Sequence, residues 1–302
     1  KQGIEAKVVS VVDNNCIDKE VHDYKPTHVF IEALWVVPSK FKELIPLHPT
    51  VKWYVRIHSK IPFIAHEGIA IQWLREYDEL SKEYPALHIS ANSYSIVETF
   101  RSAYNIKIQY YPNIYCPLFY PREDEHYTFD GKIINIGCFG AIRPMKNQLN
   151  QALAAISWGN GLKKKIKFHI NEDRIEQKGD SVLKNIEYAF VNTPHELVKH
   201  PWMDHHDFIK VVRCMDLGMQ VSFSETFNII AADFVWNGIP VIGSDDIKWL
   251  SSFYMANPNS ISSMQNRLYL SWYGRLINLQ FLNYIKLKLH NYYALRQWLN
   301  TL

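Results

Sequence analysis

Glycine is scarce, at 12 of 302 residues, and proline contributes only 14. That excludes collagen-like and Gly/Pro-rich low-complexity chains. No apolar run reaches the ~18 residues that would span a membrane, so no transmembrane segment is expected. Four cysteines (Cys16, Cys116, Cys138, Cys214) lie far apart without C-x-x-C spacing. They form neither a zinc ribbon nor a disulfide framework, and a reducing, cytoplasmic setting is the default expectation. Acidic residues are missing altogether from 247–302, which carries Lys248, Arg267, Arg275, Lys286, Lys288 and Arg296. The whole chain is nevertheless close to balance, with 33 Lys+Arg against 30 Asp+Glu. What is abundant is core-forming material: 47% hydrophobic and 21% charged residues describe a globular chain, and the length suits two domains.

Short β-branched and aromatic runs at 7–12, 27–32, 51–57, 87–91 and 108–112 alternate with helical apolar spacing, clearest at 68–83 and 94–104. Such alternation predicts a parallel sheet covered on both faces. A Pro-rich linker at 111–121 and a charged stretch at 122–131 follow. Alternation then restarts with strands expected at 132–138, 166–170, 187–191, 218–222 and 239–243. The helices between them are expected near 145–157, 207–215 and 229–237. The α/β chain is thus read as two Rossmann-like domains, 1–120 and 121–261, with C-terminal helices over 262–302. Lys1, Gln2 and Gly3 resemble the last turn of a helix with its glycine stop, so one strand and one helix are expected to precede the first domain's 7–12 strand.

Two motifs carry chemistry. The first runs from a strand ending at Ser222 through Glu225, Thr226, Phe227 and Asn228 into a helix starting at Ile229 and containing Asp233. The loop and first helical amides form a ready anion site, and two acids eight residues apart can serve one cavity. Gly238 and Pro240 then stop the helix. The second motif runs from a strand over 134–138 into a turn at Gly140, then Arg143 and Lys146 at a helix start. Two cations three apart suit a diphosphate.

Glu225, Phe227, Asp233, Gly238 and Pro240 resemble the E-x7-E element of retaining GT-B glycosyltransferases of the glycogen/sucrose-synthase and mannosyltransferase-like superfamily. Gly140 and Lys146 resemble that superfamily's Gly-Arg-x4-Lys clamp. Three features depart from it: Asp233 replaces the second Glu, Thr226 and Asn228 replace the glycines around Phe227, and Ala141 stands at the arginine position, with Arg143 two residues on. His58, after the 51–57 strand, resembles the histidine that borders the donor sugar.

The resemblance implies a GT-B fold, its domains facing across a cleft and its C-terminal helices crossing back to the first. It implies a retaining transferase moving a hexosyl or pentosyl group from a nucleotide-diphosphate sugar to a hydroxyl acceptor, without metal or other cofactor. Glu225 and His58 are then the catalytic candidates. Gly140, Arg143, Lys146, Thr226, Phe227, Asn228 and Ile229 serve the donor sugar and diphosphate, and Asp233 serves the ribose. The acceptor stays open between a glycan or small molecule and a hydroxymethylated DNA base. The N-terminal half also resembles glycosyltransferases carried by large bacterial viruses, and the acid-free 247–302 segment could meet a phosphate backbone. The rival reading is a non-catalytic nucleotide-sugar- or carbohydrate-binding module on the same fold; an epimerase is a third. His205, His206 and Asp207 invite a metal reading, but adjacent histidines at a helix start point away from one another. Asp245 and Asp246 are expected to cap a following helix.

Overall fold

A computed structural model describes residues 4–117 and 131–300. The end of the expected linker and nearly all of the charged stretch after it lie outside those residues. The chain divides into two compact units, Lys1–Pro112 and Asn113–Leu302.

The first unit contains α1 (Cys16–Tyr24), β1 (His28–Glu32), α2 (Phe41–Leu47), β2 (Lys52–Ile57) and the short α3 (Ile61–Ile64). It continues with α4 (Ala70–Glu83), β3 (Leu87–Ala91), α5 (Tyr94–Tyr104) and β4 (Gln109–Tyr110). The four strands are parallel in the order β1-β2-β3-β4. β2 is buried at every position after Lys52, as a strand covered on both faces must be. α4 forms because Ala70, Leu74, Tyr77 and Leu80 recur at helical spacing and bury one stripe. It stops at Tyr84, the residue before Pro85, where the α conformation is disfavoured. α5 ends on Asn105, which adopts a left-handed φ of 57°.

One expected strand is absent. Residues 7–12 are irregular, and Val8 and Val12 are 97% and 96% exposed. Alternation makes a strand only where a neighbour completes the ladder, and β1 pairs within the described sheet only with β2.

The second unit contains β5 (Ile133–Gly137), α6 (Gln148–Leu162), β6 (Lys165–Asn171), α7 (Gly179–Phe190), β7 (Glu196–His200), α8 (His205–Arg213) and β8 (Leu217–Gln220). After these come α9 (Ile229–Trp236), β9 (Val241–Gly243), α10 (Ile261–Gly274) and α11 (Phe281–Leu299). Its sheet is parallel, ordered β7-β6-β5-β8-β9. The strand expected at 187–191 is instead the end of α7, because Ile186 and Phe190 sit one turn apart and bury the same face. The strand follows at 196–200.

At the middle of this sheet Gly137 pairs with Gly218. A Cβ on Gly137 would lie 2.7 Å from Cζ of Phe234, and one on Gly218 2.8 Å from its Cδ2. The two bare positions let the α9 ring settle directly on the strands. α10 packs on α6, where Trp158 meets Tyr269 and Trp272 edge-on at 6.0 and 5.8 Å. α11 packs on α9, with Trp236 and Tyr284 5.6 Å apart. Both helices belong to the second unit.

Candidate functional site

The chain runs from β5 outward through β6 to β7, then returns to lay β8 and β9 on the other side of β5. This reversal is a topological switch point. The loops leaving the carboxyl ends of β5 and β8 meet there, at the place where open α/β sheets form their ligand crevice. The two sequence motifs occupy those two loops.

In the first loop Gly140 has φ +115°, and its N–H donates to Asn171 Oδ1 at 2.9 Å. A side chain there would be strained and would meet Ile230. The turn is stitched to α6 by buried amides. Gln148 donates to the carbonyl of Ala141 at 2.9 Å, Gln151 to that of Lys146 at 2.9 Å, and Asn147 to that of Val221 at 3.0 Å. Gln151 also accepts from the N–H of Val221 at 2.8 Å. One short stretch therefore fixes both loops. None of these residues was singled out in the sequence, where a buried amide looks like any other polar residue.

Asn228 has φ 61° and caps α9. Its Oδ1 accepts from the N–H of Ala231 at 2.8 Å, and its Nδ2 donates to Gln220 at 2.9 Å. Asparagine is among the few non-glycine residues that tolerate this backbone. Ile229 and Ile230 precede the first intrahelical bonds, so their amides point out of the helix start. Ile229 is exposed, and Phe227 is buried against Trp249 and His290. Thr226 lies between Glu225 and Phe227, partly buried.

Across the crevice Lys146 donates to Glu225 Oε1 at 2.5 Å, 79 residues away in sequence. The two side chains are 13% and 9% exposed. Arg143 turns elsewhere and pairs with Glu176 at 2.9 Å, which also holds Arg174. Asp246 does not cap a helix: it accepts the N–H of Glu225 at 3.1 Å and so fixes the loop that presents the acid. Cys138 lies just before the Gly140 turn, but burial pushes its thiol up to about 12, which leaves no nucleophile there.

Asp233 is almost wholly buried. Its Oδ1 accepts from the Tyr115 hydroxyl at 2.8 Å and bonds His205 Nε2 at 3.1 Å. Burial raises its carboxyl above the usual range, although both bonds pull the other way. His205 thus faces Asp233. The ligand atoms that lie within 4.8 Å of one another belong to Asp204, His206 and Asp207. Asp204 already spends an oxygen capping α8 through the N–H of Asp207 at 2.9 Å. In the first unit His58 follows β2 and bonds Glu32.

No family model matches the chain, and no curated protein matches it. Solved structures do. The chain resembles a UDP-forming alpha,alpha-trehalose-phosphate synthase from Burkholderia xenovorans in complex with glucose-6-phosphate, with 10% identity and a TM-score of 0.70 over 95% of this chain and 77% of that one. It also resembles an E. coli structure described as trehalose-6-phosphate bound with UDP-2-fluoro glucose, with 11% identity and a TM-score of 0.68 over 94% and 73%. A trehalose-6-phosphate synthase studied for glycosyl transfer with retention gives 12% identity and a TM-score of 0.64 over 93% and 75%. At such identities the likeness is one of architecture: the chain has the GT-B-like fold of two Rossmann-like α/β domains with parallel sheets.

Proposed function

We propose that the protein is a retaining glycosyltransferase that takes a hexosyl or pentosyl group from a nucleotide-diphosphate sugar. The observation that carries this reading is the meeting of Lys146 and Glu225 at the switch point of a Rossmann-like sheet, beside the open amides of α9. Lys146 and those amides stabilise the diphosphate as it departs, so the main catalytic contribution is electrostatic. Glu225 turns to the sugar hydroxyls once the phosphate engages Lys146. Arg143 adds charge if Glu176 releases it, and Gly140 lets the backbone approach the phosphates. Asp233 serves the ribose through Oδ2, its Oδ1 being occupied. His58 contacts the sugar. The leaving phosphate assists deprotonation of the acceptor, and no step calls for a metal or other cofactor.

Among the described residues, no helix is long and apolar enough to cross a membrane. A glycan or small hydroxyl compound is the acceptor we favour over hydroxymethylated DNA. Two of the six cations in the acid-free segment are spent within the chain: Arg275 pairs with Asp216, and Arg267 donates to the carbonyl of Met255. The deciding experiment screens UDP-, GDP- and ADP-linked hexoses by thermal shift, then by donor hydrolysis without acceptor. A stabilising donor that is slowly hydrolysed supports the enzyme; tight binding without turnover of any donor supports the non-catalytic module. Steeply salt-dependent DNA binding with sugar transfer to hydroxymethylated DNA would install DNA as the acceptor.

A further inference from the structure

The carboxyl ends of β1 and β2 hold a network that the reading above leaves unused. Glu32 ends β1 and lies opposite Arg56 in the ladder. Arg56 is only 5% exposed. Its Nε and Nη2 donate to the carbonyl of Tyr111 at 2.9 and 2.7 Å, and its Nη1 donates to Glu32 Oε2 at 2.8 Å. The same Oε2 bonds His58 Nε2. A guanidinium held by a carbonyl and a carboxylate cannot swing, so Arg56 fixes Glu32 and Glu32 fixes the ring. Burial pushes the Glu32 carboxyl up, but its bond to His58 and the charge of Arg56 outweigh that and leave it below its ordinary value. It is therefore a carboxylate at neutral pH and can only accept. Arg56 Nη1 also lies 3.1 Å from His58 Nε2, but it already donates to Glu32, and the contact of Nε2 with Glu32 is the shorter of the two. The proton of the neutral ring then sits on Nε2, and Nδ1 carries the lone pair. The His58 side chain is 35% exposed, and its Nδ1 has no hydrogen-bond partner among the described residues.

We propose that Glu32 is a positioning residue for His58, setting the ring so that Nδ1 accepts a hydrogen bond from a substrate hydroxyl. This rests on the reading of His58 as a substrate contact. No covalent bond changes in this contact; its effect is selection. An atom that only accepts favours a hydroxyl over a fluorine or methoxy group at the same carbon, since neither can donate. Protonating Nδ1 abolishes the contact.

The first test needs no substrate. Proton NMR of the 15N-labelled protein should show a downfield, exchange-protected His58 Nε2–H that Glu32→Ala removes. The second is kinetic. Glu32→Gln should lower kcat/KM for transfer by roughly 100-fold, the scale of a misplaced contact. Glu32→Asp should restore part of the loss, and nucleoside-diphosphate affinity should stay unchanged throughout. A purely structural Glu32 would lower the melting temperature without changing the preference for a hydroxyl over a fluorine. The proposal is overturned by a wild-type spectrum without the protected proton, or by Glu32→Gln with a wild-type kcat/KM. A wild type that turns over no donor overturns the sugar-transfer reading and the substrate role of Nδ1 with it. The ring proton then still decides whether Glu32 holds His58.

Discussion

The described strands of the first unit step across their sheet in chain order, whereas those of the second run outward and return past their own start. That difference in route decides what each sheet can bind. A sheet that reverses parts two neighbouring loops and makes a crevice from its own backbone. A sheet that does not reverse offers side chains at strand ends, as Glu32, Arg56 and His58 do. On the proposed reading the second unit holds the diphosphate by itself, while the described sheet of the first presents side chains at its strand ends.

The sharpest way to break this comparison is to remove its charges in the crevice. Glu225→Ala and Lys146→Ala should each lower kcat/KM by about 100- to 1,000-fold, the scale for losing one preorganised electrostatic contact. Nucleoside-diphosphate affinity should fall in Lys146→Ala. His58→Ala should lower turnover by ~100-fold while leaving that affinity intact. Calorimetry with UDP, GDP and ADP reads the contrast, and equal loss of nucleotide affinity in Lys146→Ala and His58→Ala would end the idea that one unit holds the diphosphate alone.

A smaller effect sharpens it through pH. His169 on β6 stacks on His200, and its Nδ1 lies 2.9 Å from His200 Nε2. Burial, with the nearby charges of His200 and Lys167, holds its pKa down to about 3. The unfolded chain binds a proton below ~6.5 that the folded one refuses until about 3. Stability therefore falls as pH drops through that window, by up to ~1.4 kcal/mol per unit. His169→Gln should flatten the acid limb of the melting curve against pH. The smallest effect expected is that of Asn228→Ala, which removes a cap and strains a left-handed backbone at a cost of about 1–2 kcal/mol, read by urea denaturation.

The longer amphipathic helices and most strands were legible because burial follows period, as at Ala70, Leu74, Tyr77 and Leu80; α1, α2 and α7 were not read as helices. The two motifs of the second unit lie where the sequence put them, in the loops after β5 and β8. Asn228 stands where the resembling family has glycine and adopts a left-handed backbone. Partnership was not legible. Arg143 was read toward phosphate and pairs with Glu176; Asp246 was read as a cap and holds Glu225. Glu32 drew no notice, because its meaning comes from strands β1 and β2 lying side by side. The run at 7–12 had the composition of a strand, but a strand is a property of two chains of backbone and not of one.

The glycine pair under Phe234 sets the height of α9 above its sheet. With no methyl at Gly137 or Gly218, the Phe234 ring lies closer to the strands than any Cβ there would permit, which brings α9 down onto its sheet. Alanine at either position would act as a shim, lifting Phe234 and tilting the amides of Ile229 and Ile230 away from whatever they grip. A displacement of about 1 Å there is enough to cost ~100-fold in rate with every charged residue still in place. The finest adjustment of this site is made by two hydrogen atoms on the far side of its helix.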